Sequence, residues 1–175
     1  LPLLTGIADV SGKKKLFMQI FTYMGGLACM GLFLFDGTNI EYGIILSIIA
    51  SLSYSGSLVF YNSFLPEIVS FDRYDQVSAK GFSYGYVGSV LLLIFNLAMI
   101  QKPEWFGTTQ LFSTKFSFLL VGFWWIGFAQ YSFFYLPKNP FNQKKSSGYL
   151  FKGYREIQTV FKSLKNLPTL KKYLL

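Results

Sequence analysis

Four runs of this chain, residues 16–35, 42–65, 81–101 and 116–136, contain no Asp, Glu, Lys or Arg. A helix rises ~1.5 Å per residue, so about twenty residues match the ~30 Å hydrocarbon layer of a bilayer. A single ionised side chain at the centre of such a helix costs about 2.5–3.5 kcal/mol on insertion scales. The pattern therefore predicts an all-α polytopic membrane helix bundle with four complete spans and every charge in the connections.

Inside the runs the polar positions carry the information. At about 100° per residue, Gly43, Ser47, Ser51, Tyr54, Ser55, Tyr61 and Asn62 fall within about a 120° arc of the second run, with Ile45, Ile49, Leu52, Val59 and Phe60 outside it. Such a face either lines a water-filled cavity, with Tyr54, Ser51 and Ser55 on the path, or forms a helix–helix seam of small and hydroxylated residues. In the third run Gly81, Gly85 and Ser89 repeat every four residues with Gly88 beside them, a spacing that predicts close helix packing. Asn96 continues that stripe. Gly25 and Gly26 predict a second close approach in the first run. The fourth run is aromatic, with Trp124 and Trp125 deep within it, and Gln130 is an amide that needs partners at that depth.

Charge adds an orientation. The chain has 16 Lys and Arg against 8 Asp and Glu, a formal net charge of +8. Fourteen of the 16 basic residues precede the first run, separate the second from the third, or follow the fourth; the alternate connections hold only Lys102 and Lys115. Basic residues gather on the cytoplasmic side of short loops, which places residues 36–41 and 101–115 outside. Topology accounts for the excess, so nucleic acid is not required as a partner. Between the second and third runs, Asp72 is a candidate N-cap for the amides ahead of the third span, and Asp9, Asp72, Arg73 and Asp75 share the inner side.

Candidate chemistry is sparse. The chain has no His and one cysteine, Cys29, which lies inside the first run as a packing residue. No acidic residue lies in a run, so a paired-carboxylate site at membrane depth is not expected, and neither a metal nor a cofactor is implied. After residue 136, Pro137 and Pro140 stop the helix. Leu150, Tyr154, Ile157, Phe161 and Leu164 then recur at three- and four-residue intervals among basic residues, predicting an amphipathic surface helix over 149–165 within an inner linker, 137–175. Residues 1–4 and 170–175 read as stubs of neighbouring spans in a longer protein.

Asp9, Gly12, Lys13 and Lys14 form a D-x-x-G-[RK]-[RK] sequence in a tight inner turn. It resembles the loop between helices two and three of the major facilitator superfamily. Tyr61-Asn62-Ser63-Phe64-Leu65-Pro66-Glu67, Ser78-Ala79-Lys80-Gly81 with Gly85-Tyr86 and Gly88, and Leu167-Pro168 with Tyr173-Leu174-Leu175 are similar to one branch of that superfamily. This is the bacterial "unknown major facilitator" group related to fungal vacuolar amino-acid effluxers of autophagy. The resemblance implies that the four runs are helices three to six of a twelve-span permease in the bacterial inner membrane. It further implies a secondary transporter that moves a small solute, such as an amino acid, by alternating access, with a proton or cation as coupling partner. The second run lacks the Arg of proton-coupled drug antiporters, which disfavours that activity. A membrane-embedded enzyme acting on lipid and a non-transporting scaffold or sensor remain the alternative classes.

Overall fold

The structure, a computed structural model, describes residues 13–137. Asp9 and Gly12 of the loop motif, the linker with its expected helix at 149–165, and both stubs lie outside the described residues. The chain divides into two compact units, and the larger, Met18–Leu136, carries the bulk of the spans.

Four long α-helices, one short one and three 3-10 turns, Leu32–Leu34, Phe71–Arg73 and Pro103–Phe106, form the regular structure of the described residues, with no strand among them. Helix α1 is Lys14–Gly31, continued by a single 3-10 turn, Leu32–Leu34. Helix α2 is Ile40–Ser63, α3 is the short Leu65–Ile68, α4 is Tyr74–Gln101 and α5 is Gln110–Tyr135. All four long helices are apolar and long enough to cross a membrane.

The helix ends follow local chemistry rather than the edges of the apolar runs. Asn39 accepts a hydrogen bond from the Tyr42 amide at 3.2 Å, and Thr109 accepts one from the Phe112 amide at 3.3 Å, so both residues cap the helices that follow them. At the far end of α1 the Tyr42 hydroxyl donates to the Gly31 carbonyl at 2.8 Å, satisfying an acceptor that the helix leaves open. Gly107 turns the chain into α5 with φ +63°, a backbone region that costs a residue with a Cβ far more. Helix α4 starts at Tyr74, ahead of the apolar run, and the expected cap by Asp72 is not made. Arg73 occupies the cap position, which leaves Asp72 one residue too early; its carboxylate lies 3.9 Å from the Arg73 Nε, with both side chains exposed.

Contacts fix the arrangement. Along α1, Gly31 meets Leu46 and Tyr42, Gly25 meets Ser53, and Phe21 fills the space at Gly56, so α2 runs antiparallel to α1. Phe33 pairs with Phe112, Gly26 meets Gly122 and Ile126, and Tyr23 reaches Gln130, so α5 also runs antiparallel to α1 on another side. Helix α4 packs on α5, with Phe95 edge-on to Phe106 in the connection between them.

Lipid is as apolar as Leu, so burial of grease does not bring these helices together; close backbone approach and hydroxyl groups do. Buried positions accordingly include Thr22, Ser53, Ser57, Ser113 and Ser117 beside Met18, Phe60, Phe64, Met99 and Phe133. Gly26 and Gly122 mark the tightest crossing, where a Cβ at Gly122 would fall 2.5 Å from the Gly26 carbonyl oxygen. Leu27, Leu91, Leu93 and Ile94 lie on the outer surface, as lipid-facing residues should.

Candidate functional site

Helix α2 has three distinct sides. One is buried: Ser53, Gly56, Ser57 and Phe60 pack inward, with Phe21 of α1 stacked on Phe60 at 5.8 Å. A second, centred on Ile45, Ile48 and Leu52, is exposed and apolar. The third holds Ser47, Ser51, Tyr54, Ser55, Tyr61 and Asn62, all exposed. At about 100° per residue the middle of this polar side lies about 145° from the middle of the buried one. The buried seam of α2 is made by the opposite side, while Tyr54 and Tyr61 at one edge of the polar arc meet Trp125 of α5 and Gly81 of α4.

The serine hydroxyls on the polar side are partly spent on their own helix. Ser47 donates to the Gly43 carbonyl at 2.8 Å and Ser55 to the Ser51 carbonyl at 3.0 Å. Each oxygen keeps acceptor capacity directed away from the helix. Tyr54, 58% exposed, makes an edge-to-face contact with Trp125 of α5 at 6.1 Å. An open groove of about 560 Å³ runs along the half of α2 that follows Asn39, lined among others by Phe35, Ile44, Ser47, Ser51 and Phe118.

Asn96 and Gln130 stand elsewhere. Asn96 on α4 is buried, and its Oδ1 has no partner among the described residues. Gln130 on α5 is held at both ends, accepting from the Tyr23 hydroxyl at 3.0 Å and donating to the Ile126 carbonyl at 2.9 Å. Those bonds make it an α1–α5 tie rather than part of the polar face of α2.

The glycine stripe of α4 divides. At Gly81 a Cβ would meet the Tyr61 hydroxyl at 2.6 Å, and at Gly88 it would approach Nε1 of Trp124 at 3.8 Å. At Gly85 nothing lies within 4 Å, and Ser89 is exposed with its hydroxyl on the Gly85 carbonyl. As a packing face, Gly85 and Ser89 therefore have no helix against them among the described residues. Lys13 and Lys14 of the loop motif lie at the start of α1, where the Phe17 amide donates to the Lys13 carbonyl.

Several positions were not singled out by spacing. Gly56, Gly122 and Tyr23 have ordinary neighbours in sequence, and only the register of α1 against α2 and α5 gives them partners. Outside the spans, the Thr38 hydroxyl, with help from the Thr38 amide, holds the Asp36 carboxyl below its ordinary pKa. No group of three or more His, Cys, Asp or Glu comes together among the described residues.

A family model described as vacuole effluxer Atg22 like matches residues 1–175, the whole chain. The chain belongs to this Atg22-like family. Among curated relatives, an uncharacterized MFS-type transporter, YxiO of Bacillus subtilis (strain 168), is 28% identical over 171 residues, 91% of this chain and 40% of the relative. An uncharacterized protein of Aquifex aeolicus (strain VF5) is 34% identical over 99 residues, 56% of this chain and 25% of the relative. Autophagy-related protein 22 of Eremothecium gossypii is 26% identical over 142 residues, 71% of this chain and 27% of the relative. The chain thus spans at most 40% of the length of these relatives. No solved structure matches it. Membership of the Atg22-like family and four membrane-length apolar helices identify this chain as an integral membrane helix bundle of the facilitator type.

Proposed function

We propose that this chain supplies helices three to six of a twelve-span secondary transporter, and that the polar side of α2 lines its solute path. The observation that carries the reading is the placement of exposed Ser51 and Ser55 near the middle of α2, opposite its buried side, with Tyr54 beside them. Hydroxyls at that depth, turned away from their own bundle, are unfavourable against hydrocarbon and suited to water or a polar solute. The mechanism is alternating access: two six-helix halves rock about a midplane site, exposing the path first on one side and then on the other. No covalent step is needed. Amino acids are the first solute class to test, with a proton or cation as coupling partner. Bacterial relatives favour the cytoplasmic membrane as its location.

Cysteine accessibility tests the path without knowledge of the solute. In full-length protein with Cys29 replaced by Ala, Ser51→Cys and Ser55→Cys should react with a membrane-impermeant thiol reagent. Ile45→Cys should stay protected by lipid. Equal protection at all three positions would remove the water-filled path.

A further inference from the structure

The geometry points to Trp125 as the positioning residue for Tyr54, seated on Gly25 and holding the phenol ring at the solute path. This rests on the reading of α2 given above and adds to it a residue on another helix and a reason for a glycine on a third.

Three observations converge. The six-membered end of the Trp125 indole occupies the space a side chain would fill at Gly25, where a Cβ would lie 2.5 Å from Cζ3 of Trp125 and 2.8 Å from the Cβ of Ser53. The indole is thus wedged against the backbone of α1 and the buried flank of α2, which restrains it as no lipid-facing tryptophan would be restrained. The same ring meets Tyr54 edge-to-face, with an interplanar angle of 66°. Tyr54 lies fourteen residues into α2 from Ile40, and Trp125 fifteen residues into α5 from Gln110, so these parallel helices present the pair at one depth.

The other tyrosines of α1 and α2 are held differently. Tyr23 is fixed by its hydrogen bond to Gln130 and Tyr42 by its bond to the Gly31 carbonyl, and the Tyr61 hydroxyl lies against Gly81. Tyr54 is the one of these four whose ring is braced by an aromatic neighbour while its hydroxyl makes no hydrogen bond among the described residues. A phenol oriented by its ring keeps both the donor and the acceptor of its hydroxyl for a solute. Trp125 therefore tunes recognition without having to touch the solute.

The test uses full-length protein carrying 3-fluorotyrosine at position 54, in nanodiscs for spectroscopy and in proteoliposomes for uptake of radiolabelled L-amino acids, one at a time. Trp125→Leu should shift and broaden the fluorine resonance, whereas Trp125→Phe, which keeps a ring, should leave it close to wild type. Gly25→Ala, which displaces the indole, should move the same resonance and covers the case in which Trp125→Leu does not fold. For any amino acid taken up, Trp125→Leu should raise the half-saturation concentration up to about tenfold, the reach of one aromatic pair, with little change in maximal rate. An unchanged resonance in both Trp125→Leu and Gly25→Ala overturns the assignment, as does an unchanged half-saturation concentration in folded Trp125→Leu. The path itself is judged separately by labelling at Ser51 and Ser55, so a wrong role for Trp125 and a wrong path give different results.

Discussion

The hydroxyl of Tyr23 on α1 donates to Oε1 of Gln130 on α5 across 3.0 Å, and the amide's other end donates to the Ile126 carbonyl. An amide facing hydrocarbon with either atom unpaired would cost several kcal/mol, of order the penalty for an exposed backbone group in lipid. Here the cost is avoided by one bond within the helix and one between helices. A Tyr23→Phe, Gln130→Leu double-mutant cycle, read by unfolding in detergent micelles, should give a coupling of about 0.6 kcal/mol and no more than about 1.7 kcal/mol. Strict additivity would mean that the bond contributes nothing.

The crossing of α1 and α5 should be intolerant of bulk. Gly122→Leu and Gly26→Leu force side chains into the Gly26 carbonyl, Met30 and Ile126, and should each cost about 1–3 kcal/mol or prevent folding. Gly127→Ala, at a position with nothing within 4 Å, should be neutral or slightly stabilising. Thermal denaturation of the purified variants separates the two classes.

Ser53 tests how the buried interface tolerates a hydroxyl. Its Oγ is buried without a partner among the described residues. Ser53→Ala should therefore be neutral or stabilise by up to about 1 kcal/mol, since it removes a desolvated group rather than a bond. A clear loss of stability in the same denaturation assay would reveal a bound water that the hydroxyl holds.

In the α1–α2 connection, protonation of Asp36 is opposed first by the Thr38 hydroxyl and then by the Thr38 amide, with Lys115 adding a smaller pull. The carboxyl pKa is lowered on folding, so the turn is fully held at neutral pH and released only as pH falls through the folded value. Thr38→Val removes the larger contribution and should shift the Asp36 titration upward, towards the ordinary carboxylate range, in carboxyl carbon-13 NMR spectra. An unshifted titration would show that the hydroxyl is not the cause.

Hydrophobic patterning by itself determined that this is a membrane helix bundle and approximately where its spans lie. The reason is one-dimensional: in lipid each spanning segment must satisfy its own backbone, so length and absence of charge suffice to identify it. The polar arc of α2 was equally legible, because the helical period is local. Where helices start was less so, since the caps Asn39 and Thr109 act on a scale of two or three residues that hydropathy does not see. Which neighbour meets each side is a property of the register between helices, and no spacing within one helix contains it. Gly25 and Gly26 face Trp125 and Ile126, whereas Gly85, equally well spaced, has nothing within 4 Å among the described residues. Tertiary structure alone left Ser51 and Ser55 exposed on the side away from the buried seam and set Trp125 against Tyr54.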